Sequence, residues 1–301
     1  MFIILEQSPG WLSLGLHQGL ARTGRDVLVL TPEDVVSRLL ISYEITNDEI
    51  SLEMSFGDLS FCGDELDGVY SGIDSFPPAL WPYFSQKDAA YAAMECQSLW
   101  LSILSSIRVP VVNRPGIDAL AGRLLSRIEL YDLARRFGIG IPTIFEAESG
   151  REAANLTDAH NLSFIDRGEK FPTERDVSRQ ALLSEPVRDN QVSIREFLPG
   201  VPVSIILVEK KAFLARPSKK QEAWTAMKSS EAPAGLLARL ADLHHKTGLT
   251  VAEYIFTVSR ENLWTLTSMQ RMLTDGTPPV HRDRIISEII SLFAAERTSR
   301  S

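Results

Sequence analysis

Few residues in the sequence define a chemistry by type and spacing alone. Cys62 and Cys96 are the only cysteines, and neither lies in a CxxC or Cys/His spacing. Two buried thiols in a reducing compartment are therefore expected, not a disulfide framework or a structural zinc site. His244-His245-Lys246 falls at the end of a stretch whose Leu236, Leu237, Leu240 and Leu243 mark an amphipathic helix. Cations favour a helix C-terminus, and metal binding there would need further ligands that are not nearby. Gly10, Gly15 and Gly19 follow the first apolar run, but they do not form GxGxxG and no acidic residue closes the second run to hold a ribose. Glu95 lies beside an apolar stripe, where a carboxylate either points into a site or stays solvated at the edge. Glu209-Lys210-Lys211 and Lys219-Lys220 read as solvated turns, and Arg216 stands on the strand between them, placed to line a cleft.

The elements that would position such residues are clearer. The chain has 301 residues, 44% of them hydrophobic, and a formal charge of −8. That length supports a substantial core divided among two or three lobes, and the acidic balance argues against nucleic-acid binding. Phe2 to Leu5, Trp11 to Arg22 and Val27 to Leu30 read as a βαβ unit with a parallel sheet. Asp67 to Ser71 is a further strand, and Gln86 to Ile107 a long helix with Ala89, Ala93, Cys96, Trp100, Ile103 and Ile107 on one stripe. Val109 to Asn113 follows as a buried strand, then a helix through Leu124, Ile128, Tyr131, Ala134 and Phe137 that Gly138 stops. Ser193 to Val208 reads as a hairpin of two β-rich runs joined at Pro199-Gly200. Ile285 to Phe293 is a closing helix. The opening residues lack a basic n-region, and no apolar run reaches the roughly 20 residues that span a bilayer, so a cytoplasmic protein without membrane contact is expected.

This succession resembles the ATP-grasp superfamily, most of all its glutamate-ligase-like and peptide-macrocyclising members. The likeness rests on Asn113-Arg114-Pro115, the Gly138-Ile139-Gly140-Ile141-Pro142-Thr143 strand entry, the Arg195-Glu196-Phe197-Leu198-Pro199-Gly200 hinge, and the closing strand pair Gly248 to Val258 and Leu263 to Met269. It implies a mixed α/β and α+β fold: an N-terminal parallel-sheet lobe over residues 1–115, then a two-lobed ATP-grasp-like domain with lobes at 116–190 and 191–301. It also implies ATP as the nucleotide. Glu196, Phe197 and Leu198 would face the base, Arg127 would replace the first phosphate lysine, Arg167 or Lys170 the second, and Arg216 would line the cleft.

The resemblance also places Ile255, Thr267 and Met269 where the family carries its Asp, Glu and Asn metal ligands. Magnesium demands hard oxygen ligands, which Ile and Met cannot supply and Thr supplies weakly. Glu253, two residues along the same strand face, is the one candidate metal carboxylate, set against an ordinary exposed strand residue. Mg²⁺ is therefore not expected, and no catalytic residue is assigned. The resemblance then implies a ligand-binding or non-catalytic partner subunit of an ATP-dependent ligase. The alternative is an active ligase that joins a carboxylate to an amine through an acylphosphate, with relocated site residues. The implied partners are an active ligase paralogue or further copies of the chain, with a small-molecule or peptide ligand.

Overall fold

The computed structural model describes residues 1–45, 50–117, 119–147, 162–166, 192–196, 198–218 and 223–298. The chain opens as its apolar runs demand. β1 (Phe2–Glu6), α1 (Trp11–Ala21) and β2 (Val27–Leu30) form a βαβ unit, and β1 pairs with β2 in parallel. The glycines of α1 serve packing: a Cβ on Gly15 would lie 2.1 Å from Ile286, and one on Gly19 2.3 Å from Ile290. They let the last helix of the chain press its isoleucines against α1, which is a structural use of residues that a dinucleotide motif would have used otherwise.

After α2 (Pro32–Ser37), capped by Thr31 and Asp34, come β3 (Leu39–Ile45), β4 (Ile50–Phe56) and β5 (Leu59–Cys62). No element is expected for this segment from the sequence. It forms a three-stranded antiparallel sheet whose Leu39, Leu52, Met54 and Phe61 turn into the core. β6 (Gly68–Gly72) returns beside β1, and α3 (Gln86–Ser106) buries Ala89, Ala93, Trp100, Ile103 and Leu104 along the expected stripe. Of the two thiols expected to be buried, Cys96 is half-buried and Cys62 is exposed; both are free. β7 (Val111–Val112) completes a parallel sheet of order β2-β1-β6-β7.

α4 (Arg127–Arg136) starts at a capping box in which the Ser126 hydroxyl accepts from the Glu129 N–H and the Glu129 carboxylate accepts from the Ser126 N–H. Its buried face is Leu130, Tyr131 and Ala134. Leu124 and Ile128, expected on that face, are exposed: the helix begins only at Arg127, after Leu124, and Ile128 in its first turn lies off the buried face.

β8 (Ile144–Ala147), β9 (Leu162–Asp166) and β10 (Val192–Glu196) form one antiparallel sheet in the order β8-β10-β9. β11 (Val201–Val208), β12 (Lys211–Pro217), β13 (Trp224–Met227), β14 (Val251–Val258) and β15 (Trp264–Gln270) form a second, with α5 (Leu236–Thr247) before β14 and α6 (Arg282–Thr298) last; its order is β13-β12-β11-β14-β15. The expected hairpin is thus corrected. β10 and β11 belong to different sheets, and Leu198 to Gly200 is the hinge between them. A Cβ on Gly200 would lie 2.5 Å from the Val258 carbonyl oxygen, so only glycine lets the hinge pass over β14.

The five-stranded sheet has two different faces. Val203, Ile205, Leu207, Leu214, Tyr254, Phe256 and Leu266 pack with residues of α4 and α5. Ile206, Val208, Phe213 and Val251 pack instead with Ile285, Ile289 and Phe293 of α6 and with Leu12 and Leu16 of α1. That second core joins the N-terminal sheet to the last lobe. Among the described residues no helix is long and apolar enough to cross a membrane.

Candidate functional site

The face of the five-stranded sheet that carries Ile206 and Val251 also carries, by strand alternation, Ser204, Glu253 and Ile255. Its α6-covered half is apolar, and Glu253 marks the edge of the cover. Glu253 is 3% exposed. The Ser204 hydroxyl donates to its Oε1 at 2.5 Å and the Thr277 hydroxyl to its Oε2 at 3.0 Å. Burial raises its pKa above the usual carboxylate value, while the two hydroxyls act in the opposite sense. The expectation of an exposed strand residue is therefore corrected: Glu253 is an enclosed carboxylate whose two oxygens are already engaged.

The register of the neighbouring strand decides what else faces the same way. Glu253 stands opposite Gln270 and Ile255 opposite Ser268, then an irregularity after Ile255 brings Phe256 opposite Leu266. Thr267 is the extra residue of this bulge, and its hydroxyl donates to the Ile255 carbonyl at 2.9 Å. Met269, opposite Tyr254, packs against the α4 and α5 core. Ile255, Ser268, Gln270 and Glu253 therefore share the open face, Thr267 is tied to the backbone, and Met269 is turned away. This set does not fit Mg²⁺. It offers one carboxylate, already bonded to two hydroxyls, and no second hard anionic ligand beside it. No group of three or more His, Cys, Asp or Glu side chains able to hold a metal occurs among the described residues.

The residues assigned to a nucleotide fall on several elements. Arg127 is the first residue of α4 and half-buried. Arg216 lies two residues after Leu214 on β12 and so projects toward the α4 and α5 side, opposite to Glu253. It pairs with Glu231 at 3.3 Å on the rim of a cavity of about 1100 Å³ that Val201, Trp224, Met227 and Trp264 also line. Leu198 is half-buried in the hinge. Glu196 ends β10, its backbone opposite Leu162 after a register shift. Arg167, Lys170 and Phe197 lie outside the described residues.

Two features are not evident in the sequence. A smaller cavity of about 340 Å³ sits at the C-terminal edge of the parallel sheet, lined by Glu6, Trp11, Gly72 and Asp275. The order β2-β1-β6-β7 reverses direction between β1 and β6, and such a switch point is where open α/β sheets form crevices. Burial raises the Glu6 pKa, helped by the charge of Asp275, and Glu6 Oε2 is buried without a hydrogen-bond partner among the described residues. An acidic residue ending the first strand was the available signal. The second feature is His244, expected as a cation at the end of α5. It is buried, with Nδ1 3.0 Å from the Tyr254 hydroxyl and Nε2 3.3 Å from the Thr250 carbonyl, and burial lowers its pKa to about 4. It is neutral at pH 7, so the dipole argument applies to its neighbours only.

No family model matches the chain, and no curated protein matches it in sequence. Solved structures do match. The macrocyclase MdnC from Microcystis aeruginosa MRC, bound with precursor peptide MdnA, superposes with a TM-score of 0.78 at 11% identity, covering 96% of this chain and 100% of that one. A Chryseobacterium gregarium RiPP-associated ATP-grasp ligase, in complex with ADP and a leader and core peptide, gives 0.75 at 12% identity over 98% and 96% of the two chains. The ATP-grasp ligase PsnB, complexed with a minimal precursor, Mg and ADP, gives 0.73 at 12% over 97% and 98%. The chain has the ATP-grasp fold, matched over 96% or more of its length.

Proposed function

We propose that this chain is a peptide-binding ATP-grasp-fold protein without metal-assisted catalysis, a non-catalytic partner of an ATP-dependent ligase. One observation carries the reading: the open face of β14 and β15 presents Ile255, Ser268 and Gln270 around a Glu253 already bonded to Ser204 and Thr277. Phosphoryl transfer depends on positioning and on cations that neutralise charge developing on the phosphates. A loss of metal assistance worth several kcal/mol costs roughly a thousandfold or more in rate. A peptide as ligand is supported by the precursor peptides bound to MdnC and to the Chryseobacterium enzyme. The cavity beside Trp224 and Trp264, about 1100 Å³, has the room and the aromatic walls for peptide side chains.

The test is a thermal-shift titration of the full chain with ADP and ATP, with and without Mg²⁺, and with peptides drawn from open reading frames encoded beside its gene. A ligand at 100 times its Kd stabilises by about 2.7 kcal/mol. The expected result is a shift with peptide and none that requires Mg²⁺. Mg²⁺-dependent stabilisation by nucleotide, with ADP release when peptide is added, would overturn the proposal in favour of an active carboxylate–amine ligase.

A further inference from the structure

The cavity at the C-terminal edge of the parallel sheet gathers oxygen acceptors around one point. A Cβ on Gly10 would lie 3.4 Å from Glu6 Oε1, 3.9 Å from Asp275 Oδ1 and 3.9 Å from the Ser8 carbonyl oxygen. Glu6 ends β1, Ser8 lies in the loop after it and Asp275 follows β15, so the fold brings the three together. Trp11, Leu12 and Leu273 supply apolar wall to the same cavity of about 340 Å³.

The protein's own groups do not complete this cluster. Glu6 Oε2 is buried and has no hydrogen-bond partner among the described residues, an unfavourable state for an acceptor. Burial raises the Glu6 pKa most and the Asp275 charge adds to it, while the Ser13 hydroxyl and the Gly10 N–H oppose it. Arg282 stacks on Trp11 at 4.8 Å, but it donates to the Asp275 and Thr277 carbonyls, and neither carboxylate forms an ion pair among the described residues. Gly10 is also the N-cap of α1. A helix start contributes about half a positive charge, which two carboxylates outweigh.

The complement of this surface is a cation that carries N–H donors. A primary ammonium has three of them, as many as the oxygens of Glu6, Asp275 and Ser8 that surround the point. Its alkyl stem would meet Trp11, whose ring also attracts the charge. A guanidinium spreads its donors in a planar fork and does not match acceptors gathered about one point. A bare divalent cation needs more hard ligands, and no group of three or more His, Cys, Asp or Glu occurs among the described residues.

We propose that the cavity at Gly10 binds a primary alkylammonium group, held by Glu6, Asp275 and the Ser8 carbonyl with its stem against Trp11. It shares no lining residue with the cavity beside Trp224, and the inference does not depend on the proposed function.

Isothermal titration calorimetry of the full chain with n-butylammonium and with N-acetyl-lysine methylamide tests it, at neutral pH and about 0.15 M salt, where diffuse charge attraction is screened. The native chain should bind at least one of them with a Kd of about 1 mM or tighter. Glu6→Gln keeps the shape and removes the charge. Gly10→Ala places a methyl group among the three oxygens, and its extended backbone, φ −131°, accepts alanine. Each variant should weaken binding at least about tenfold, and far-UV circular dichroism confirms that both fold. Tetramethylammonium, a charge without donors, and n-butanol, a stem without charge, should bind at least about tenfold more weakly than n-butylammonium. Tighter binding of the lysine amide assigns the group to a peptide side chain, tighter binding of n-butylammonium to a free amine, and either upholds the site. The proposal is overturned by a native chain that binds neither up to about 20 mM, by binding that Glu6→Gln or Gly10→Ala leaves unchanged, or by tetramethylammonium binding as tightly as the primary amine.

Discussion

The Asn113 side chain completes the hydrogen bonding of Val251 as a neighbouring strand would. Its amide donates to the Val251 carbonyl at 2.9 Å and its Oδ1 accepts from the Val251 N–H at 2.7 Å. The same side chain donates to the Arg271 carbonyl at 2.9 Å and accepts from the Thr250 N–H at 2.8 Å. Arg271 in turn pairs with Asp74 and donates to the Gly122 carbonyl. Asn113 thus fastens the end of the parallel sheet to the start of β14 and the end of β15.

Removing that side chain strands backbone groups that are buried or, at Thr250, half-buried. Asn113 is 2% exposed, so Asn113→Ala leaves up to four backbone partners, three of them in buried bonds, without their bond. Each orphaned group costs on the order of 1 kcal/mol or more, and the variant should lose about 2 to 4 kcal/mol of stability in urea unfolding. A loss below about 0.5 kcal/mol would mean that the two lobes are held by their apolar contacts alone.

The hinge makes a separate prediction. In Gly200→Ala the new Cβ meets the Val258 carbonyl oxygen at 2.5 Å and the Thr257 side chain at 2.7 Å, and neither is a flexible side-chain end. Backbone must shift, at a cost of about 1 to 3 kcal/mol. Because the hinge joins the sheet of β10 to that of β11, hydrogen exchange should rise at Val201 to Val203 and Thr257 to Val258 more than at the core of α3. Uniform exchange across the chain would place the strain elsewhere.

These relationships differ in how far they could be read from the sequence. The βαβ opening and the buried stripe of α3 were legible because apolar periodicity reports which side of an element is covered. The Pro199-Gly200 corner was legible as a turn but not as a hinge, since the same residues serve whether the strands they join pair or diverge. The register of β14 against β15 was not legible: a single bulge residue, Thr267, moves Met269 to the opposite face and brings Ser268 and Gln270 forward, and no local signal marks it. Glu253 looked exposed because acidic residues usually are. Its donors, Ser204 and Thr277, lie 49 and 24 residues away, so only the fold brings them to it.

His244 predicts an acid-sensitive stability. Its pKa falls from an ordinary 6.5 to about 4 because burial disfavours the charged ring. The unfolded chain binds a proton between these values and the folded chain does not, so this contribution is complete above pH 6.5 and declines as pH falls toward 4. The loss should be on the order of 1 to 3 kcal/mol. His244→Gln should lower stability at pH 7, where the bond to Tyr254 is weakened, and should flatten the slope between pH 6.5 and 4. An equal slope in native and variant chains would remove His244 as the source.

Glu253 acts with the opposite sign. Its pKa is raised above 4.5, chiefly by burial, so as pH climbs past 4.5 the unfolded chain ionises before the folded one and stability is lost through the window up to the folded pKa. Glu253→Gln removes the titration and keeps the site satisfied, because a carboxamide accepts from one hydroxyl and donates to the other. Measured against the native chain by chemical unfolding, the variant should be no more stable below pH 4.5 and progressively more stable as pH rises through the window above it. The difference should grow by at most about 1.4 kcal/mol per pH unit inside the window. Glu253→Ala, which leaves Ser204 and Thr277 facing a void, should destabilise at every pH. A Glu253→Gln difference that stays flat or shrinks as pH rises would show that the carboxylate is stabilised in its charged form, as a residue awaiting a cation would be.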